Sequence, residues 1–130
     1  VQNDFCILQK RDNEHVLTAA ALCFPASWLL KEKFHKPLID IHVPVKEYDD
    51  VIAKRVQRLF DGLQINCPLW RFNALYYEDP NLFQPRTANQ PRRKPAANKA
   101  NYFRSERQTL VKLPESGAII FGIHTFVVRA

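Results

Sequence analysis

The stretch from Tyr102 to Arg129 limits the possible folds more than any other part of this chain. Two β-prone halves meet at the tight turn Pro114-Glu-Ser-Gly117, so the halves must pair antiparallel as a long hairpin. The second half is almost uncharged and reads as a central strand. The first half carries Arg104, Glu106, Arg107 and Gln108 inside a β pattern. Charged groups in a half-buried strand persist when they are paired or when they act on something. This hairpin is where the chemistry is sought.

The other elements follow in order. Asp4 to Gln9 reads as a strand, Lys10 to Glu14 as a turn, and His15 to Phe24 as a second strand stopped by Pro25. Ser27 is placed to cap a short helix, Trp28 to Phe34. Leu38 to Val45 reads as an extended, proline-broken segment. Asp49 or Asp50 can cap the next helix, with Val51, Ile52, Val56, Leu59, Phe60 and Leu63 at helical spacing and Gly62 closing it. Cys67 to Tyr77 is a third strand, with Trp70, Phe72, Ala74 and Tyr76 on one face and Leu69, Arg71, Asn73 and Leu75 on the other.

Glu78 to Asn101 carries four of the nine prolines and reads as a mobile, basic excursion. The expected architecture is α+β: an antiparallel five-stranded sheet with helices packed on one face, the element order of PAS-like domains. Residues 1–130 form a single domain. The sequence contains no Met and reads as a piece of something longer.

Composition excludes several classes. No apolar run approaches the roughly 18 to 20 residues needed to span a bilayer, so no membrane role is expected. Cys6, Cys23 and Cys67 are odd in number and lack a CxxC pair, which argues against a disulfide framework or a zinc site. A reducing, cytoplasmic setting is the expectation. The net charge of +6 suggests nucleic acid. However, Arg86, Arg92, Arg93, Lys94 and Lys99 all lie in the proline-rich segment, with no aromatic residues interleaved for base stacking. No nucleic-acid partner is expected.

Each candidate site has a plain structural alternative. His42, in Asp40-Ile-His-Val-Pro, can ligate a transition metal or be a buried histidine bonded to backbone. His15, His35 and His124 compete with it. Glu106 shares a strand face with Arg104 and Gln108, while Arg107 falls on the other; it can act as a base or bind an amine, or form a cross-strand ion pair. Arg71 and Asn73 on the neighbouring strand can clamp a carboxylate. Trp28, Trp70, Phe72, Tyr76, Phe103 and Phe121 supply flat apolar surface for a cofactor pocket or for a core.

Several stretches together resemble one family. They are Cys23-Phe-Pro-Ala-Ser-Trp28, Ile41-His-Val-Pro-Val45, Trp70-Arg-Phe-Asn73, Arg104-Ser-Glu-Arg-Gln-Thr-Leu110, Leu113-Pro-Glu-Ser-Gly-Ala118 and Phe121-Gly-Ile-His-Thr125. The chain resembles the haem-dependent oxidative N-demethylases, departing from their pattern at His35, Ala74 and His124. The resemblance implies a PAS-like fold binding haem b through its iron, with one histidine as axial ligand; by motif prominence and chemical fit, His42 is the choice for that ligand and Glu106 for the catalytic carboxylate. By their chemistry, Trp70, Arg71, Asn73, Arg104 and Arg107 are the candidates to hold that cofactor. The resemblance further implies a small alkylamine substrate, dioxygen, formaldehyde as product, and a separate flavin or iron–sulfur reductase component. The alternative is a non-catalytic PAS-like ligand-binding or protein-interaction module.

Overall fold

The computed structural model describes residues 2–42, 49–91, 95–96 and 99–130. Five strands form one antiparallel sheet: β1 (Asp4–Arg11), β2 (Glu14–Ala21), β3 (Leu69–Tyr77), β4 (Tyr102–Lys112) and β5 (Ile119–Arg129). Two helices, α1 (Leu38–His42) and α2 (Asp50–Asp61), lie between β2 and β3 in sequence. The strand order is β2-β1-β5-β4-β3, so the N-terminal hairpin joins the C-terminal one through the β1–β5 pair. This is an α+β fold, and the Tyr102–Arg129 stretch is its centre.

Pairing fixes two faces. On the inner face, Cys6, Leu8, Leu17 and Ile119 are buried against Leu38 of α1 and against Phe60 and Leu63 at the end of α2. Both helices therefore sit over the β2–β1–β5 half. Asp49 caps α2 by accepting from the Ile52 amide at 2.8 Å, which decides between the two candidate caps. Among the described residues no helix packs on the inner face of β3 and much of β4, and nearly all of β3 is exposed.

On the outer face of β3, β4 and β5, Trp70, Phe72, Tyr76, Phe126 and Val128 are all exposed. Trp70 packs edge-on against Phe72, and Phe72 against Phe126. Arg107 is the only charged side chain among the described residues of that three-strand face.

Three local expectations are corrected. Leu38–His42 is helical, not extended. Pro37 stands at its start, where a missing N–H is harmless, and its carbonyl accepts from Ile41 at 3.0 Å. The spacing of Leu38 and Ile41 then turns both toward the core. Val43 to Val45, the rest of that expected segment, lie outside the described residues.

The helix expected from Trp28 to Phe34 shrinks to a single 3₁₀ turn, Leu30–Glu32, with no side-chain cap. Ser27 has a φ of 65° and donates its amide to Gln84 at 2.8 Å, which holds the preceding backbone in a bridge instead. The second strand ends at Ala21 because the buried Asp4 carboxylate captures the amides of Cys23 (2.6 Å) and Phe24 (3.1 Å), turning the chain across the sheet.

The described part of the proline-rich stretch is tied down at several points. Gln84 forms a parallel bridge with Ala26, Glu32 accepts from the Ala88 amide, and Glu78 accepts from that of Ala96. Arg92, Arg93 and Lys94 lie outside the described residues. Among the described residues no helix is long and apolar enough to cross a membrane.

The far end of the core holds His15, which bonds Gln57 at 2.7 Å and packs against the Phe60 ring. Burial lowers its imidazole below the ordinary 6.5; Lys10 and Lys112 act the same way, while Gln57 and Asp61 oppose. The unfolded chain thus binds this proton more readily than the folded one. The stability due to the neutral ring is complete above about pH 6.5 and is lost as pH falls through the lowered folded value. Thermal midpoints should fall between about pH 7 and pH 5, and His15→Gln should flatten that slope. A slope untouched by the substitution would contradict this.

Candidate functional site

Alternation along β4 places Arg104, Glu106, Gln108 and Leu110 on the inner face. Opposite them β3 sets Leu75, Asn73, Arg71 and Leu69 in register. Arg71 Nε donates to Gln108 Oε1 at 2.8 Å. Gln108 Nε2 donates to Glu106 Oε2 at 3.2 Å, and Asn73 Nδ2 donates to the same oxygen at 3.1 Å. Arg104 Nε stands 3.9 Å from the other oxygen, Oε1. The result is one carboxylate held by two neutral amides and flanked by guanidinium groups, on the half of the sheet that the helices leave open.

Arg104 itself is 2% exposed and grips backbone. Its Nη1 donates to the carbonyls of Leu82 (3.1 Å) and Asn81 (3.3 Å), and its Nη2 to that of Phe24 (3.2 Å). The Tyr77 ring lies beneath the guanidinium. Asp4 holds the amide of Phe24 while Arg104 holds its carbonyl. The Phe24-Pro25 box and the start of the proline-rich stretch are in this way drawn over the Arg104 end of the face.

His42 ends α1. Its Nδ1 meets the Leu38 carbonyl at 2.7 Å, which sets that nitrogen as the N–H and leaves the lone pair on Nε2. Burial lowers its imidazole from the ordinary value, reinforced by the charges of Lys33 and Arg71, although the hydrogen bond to Leu38 acts the other way. Lys33, itself lowered by burial, donates to the Ile41 carbonyl at 2.6 Å and so covers the same helix end. Burial and the neighbouring charges thus favour the neutral ring, the form that binds metals.

The geometry divides the expected residues. Glu106, Arg71, Asn73 and Arg104 share the inner face, and the charge of Arg71 reaches His42. Trp70 and Arg107 point to the outer face, because each is one residue out of phase with that set. They cannot line the same surface as Glu106. His15 belongs to the far end of the core, His35 packs on Phe34, and His124 lies beside Phe126 on the outer face. Cys23 is exposed, and burial together with Asp4 pushes the Cys6 thiol up to about 11, far from a ready thiolate.

Gln108 has the place on the Glu106 face that its parity gives it, whereas Thr125 went unrecognised in the sequence. Gln108 links Arg71 to Glu106, and Thr125 is the buried cross-strand partner of Glu106. A polar residue at an inward position of an otherwise apolar strand was the available signal for Thr125.

The site thus combines a backbone-anchored imidazole at the end of α1 with a braced carboxylate on the inner face of β4. The chain belongs to the haem-dependent oxidative N-demethylase, alpha subunit-like family, whose model matches residues 1–130.

Proposed function

We propose that this chain is a PAS-like haem b domain serving oxidative N-demethylation of a small secondary amine, with dioxygen consumed and formaldehyde released. The observation that carries the reading is the Glu106 carboxylate, fixed by Asn73 and Gln108 on the same side of the sheet as Arg71, whose charge reaches His42. The donor set suits haem: the tautomer of His42 is fixed by a backbone carbonyl, as is usual for ligating imidazoles. His42 would hold the iron from the end of α1, and Arg71 and Asn73 would meet the propionates at the open edge. Arg104 would support that wall from behind through its backbone contacts.

When bound, haem supplies dioxygen activation and electron transfer. The chain's own groups bind and orient the amine. Glu106 pairs with its ammonium or takes its proton, and the donors on Oε2 keep the carboxylate in one orientation. Electrons come from a separate flavin or iron–sulfur component, in keeping with a family named for one subunit among others.

Glu106→Gln tests this directly. Haem uptake should match the parent, while formaldehyde release from dimethylamine falls by about 10²–10⁴-fold, the range for a lost acid–base group. Full turnover in the variant would remove Glu106 from the chemistry.

One observation favours a second reading, a protein-interaction module. The outer aromatic face with its single guanidinium fits a partner subunit that presents apolar side chains and a carboxylate opposite Arg107. Trp70→Ala combined with Arg107→Glu should then abolish co-purification of the partner subunit and leave haem uptake unchanged. Retained co-purification would reject that face as the interface.

A further inference from the structure

Two buried polar atoms beside Glu106 have no hydrogen-bond partner among the described residues: Arg104 Nε and Thr125 Oγ1. Their residues are 2% and 1% exposed, so bulk solvent does not satisfy them. Such groups are rare, and leaving one unsatisfied costs about 1–3 kcal/mol. Both border the same carboxylate. Thr125 faces Glu106 directly across the β4–β5 pair, and Arg104 is two residues away on the same side of β4. Glu106 Oε2 takes both amide donors, whereas Oε1 has only the Arg104 Nε contact at 3.9 Å. That separation is too long for a hydrogen bond and within the span of one bridging molecule.

We propose that Arg104 Nε, Thr125 Oγ1 and Glu106 Oε1 together bind a single ordered water, and that Thr125 is a positioning residue for Glu106. The chemistry of the three groups selects the ligand. Arg104 offers one N–H, Glu106 accepts, and the Thr125 hydroxyl can do either. Water completes the set by accepting from Nε, donating to Oε1 and exchanging one bond with the hydroxyl. On the Arg104 side of Oε1 an alkylammonium would meet the guanidinium charge, which leaves the substrate amine the opposite side of Glu106, and an anion would meet the carboxylate. The Phe24, Asn81 and Leu82 carbonyls that Arg104 holds close this corner from above. With Oε2 braced by amides and Oε1 by this water, the carboxylate has both oxygens fixed before any substrate arrives.

This inference deepens the role proposed for Glu106, yet its tests use the haem-free protein and no turnover. The infrared carboxylate band assigned to Glu106 by its loss in Glu106→Gln should shift in Thr125→Val and return in Thr125→Ser. Thr125→Val should also raise the unfolding equilibrium constant at least fivefold, because it strands the water and the Arg104 donor. A band that stays in place in Thr125→Val overturns the proposal, whatever happens to stability. Should the valine variant not fold, a high-resolution crystal structure of the parent decides. Density for a water within about 3.2 Å of all three atoms supports the proposal, and its absence overturns it. Unchanged demethylation by Glu106→Gln would sink the catalytic reading while leaving this water site intact.

Discussion

Arg104→Ala should lower the stability of this domain by about 3–5 kcal/mol, a large part of the roughly 5–15 kcal/mol typical of a single domain. The side chain is almost wholly buried and joins three separated pieces of chain: the Phe24 carbonyl, the Asn81–Leu82 backbone and the β4 strand that carries it. Truncation strands those carbonyls and leaves Glu106 without its nearest buried counter-charge. The backbone over this corner should lift, so the segment around Asn81 and Leu82 becomes accessible to protease. Arg104→Lys retains the charge without the planar fork and should recover only part of the loss. Urea unfolding with limited proteolysis measures both effects. A loss below about 1 kcal/mol would mean that the clamp contributes no more than a surface pair.

The second large effect concerns His42. His42→Ala should abolish the sharp Soret band of the haem-reconstituted protein, and added imidazole should restore it by filling the space the ring leaves. The Nδ1 contact to Leu38 fixes the tautomer, and burial with the charges of Lys33 and Arg71 favours the neutral ring. Removing the ring takes away the ligand while α1 keeps its core contact through Leu38. An unchanged spectrum would move the ligand to another histidine, and the positions of His15 and His124, at the far end of the core and on the outer face, make neither a ready substitute.

The local, periodic part of this architecture was readable in the sequence. The Tyr102–Arg129 hairpin and the alternation of β3 follow from a repeat of two, and the same parity puts Glu106, Arg104 and Gln108 together. That parity also separates Arg107 and Trp70 from them, which the family pattern alone did not reveal.

Non-local outcomes were not readable. No local signal says that Arg104 takes carbonyls from Phe24, Asn81 and Leu82, since those partners lie 80, 23 and 22 residues away along the chain. The β1–β5 pairing, which joins the two hairpins into one sheet, is equally non-local. Leu38–His42 was misread for a different reason. Pro37 and Pro44 suggested a broken strand, whereas Pro37 at a helix start permits the turn that carries His42.

The central claim is that this chain binds haem on the inner side of its sheet through His42. The most direct test is the absorption spectrum of the purified protein titrated with haemin, before and after dithionite. A sharp Soret band should saturate at one haem per chain and shift on reduction. A broad band that only tracks the added free haemin, with no saturation and no such shift, would contradict the claim.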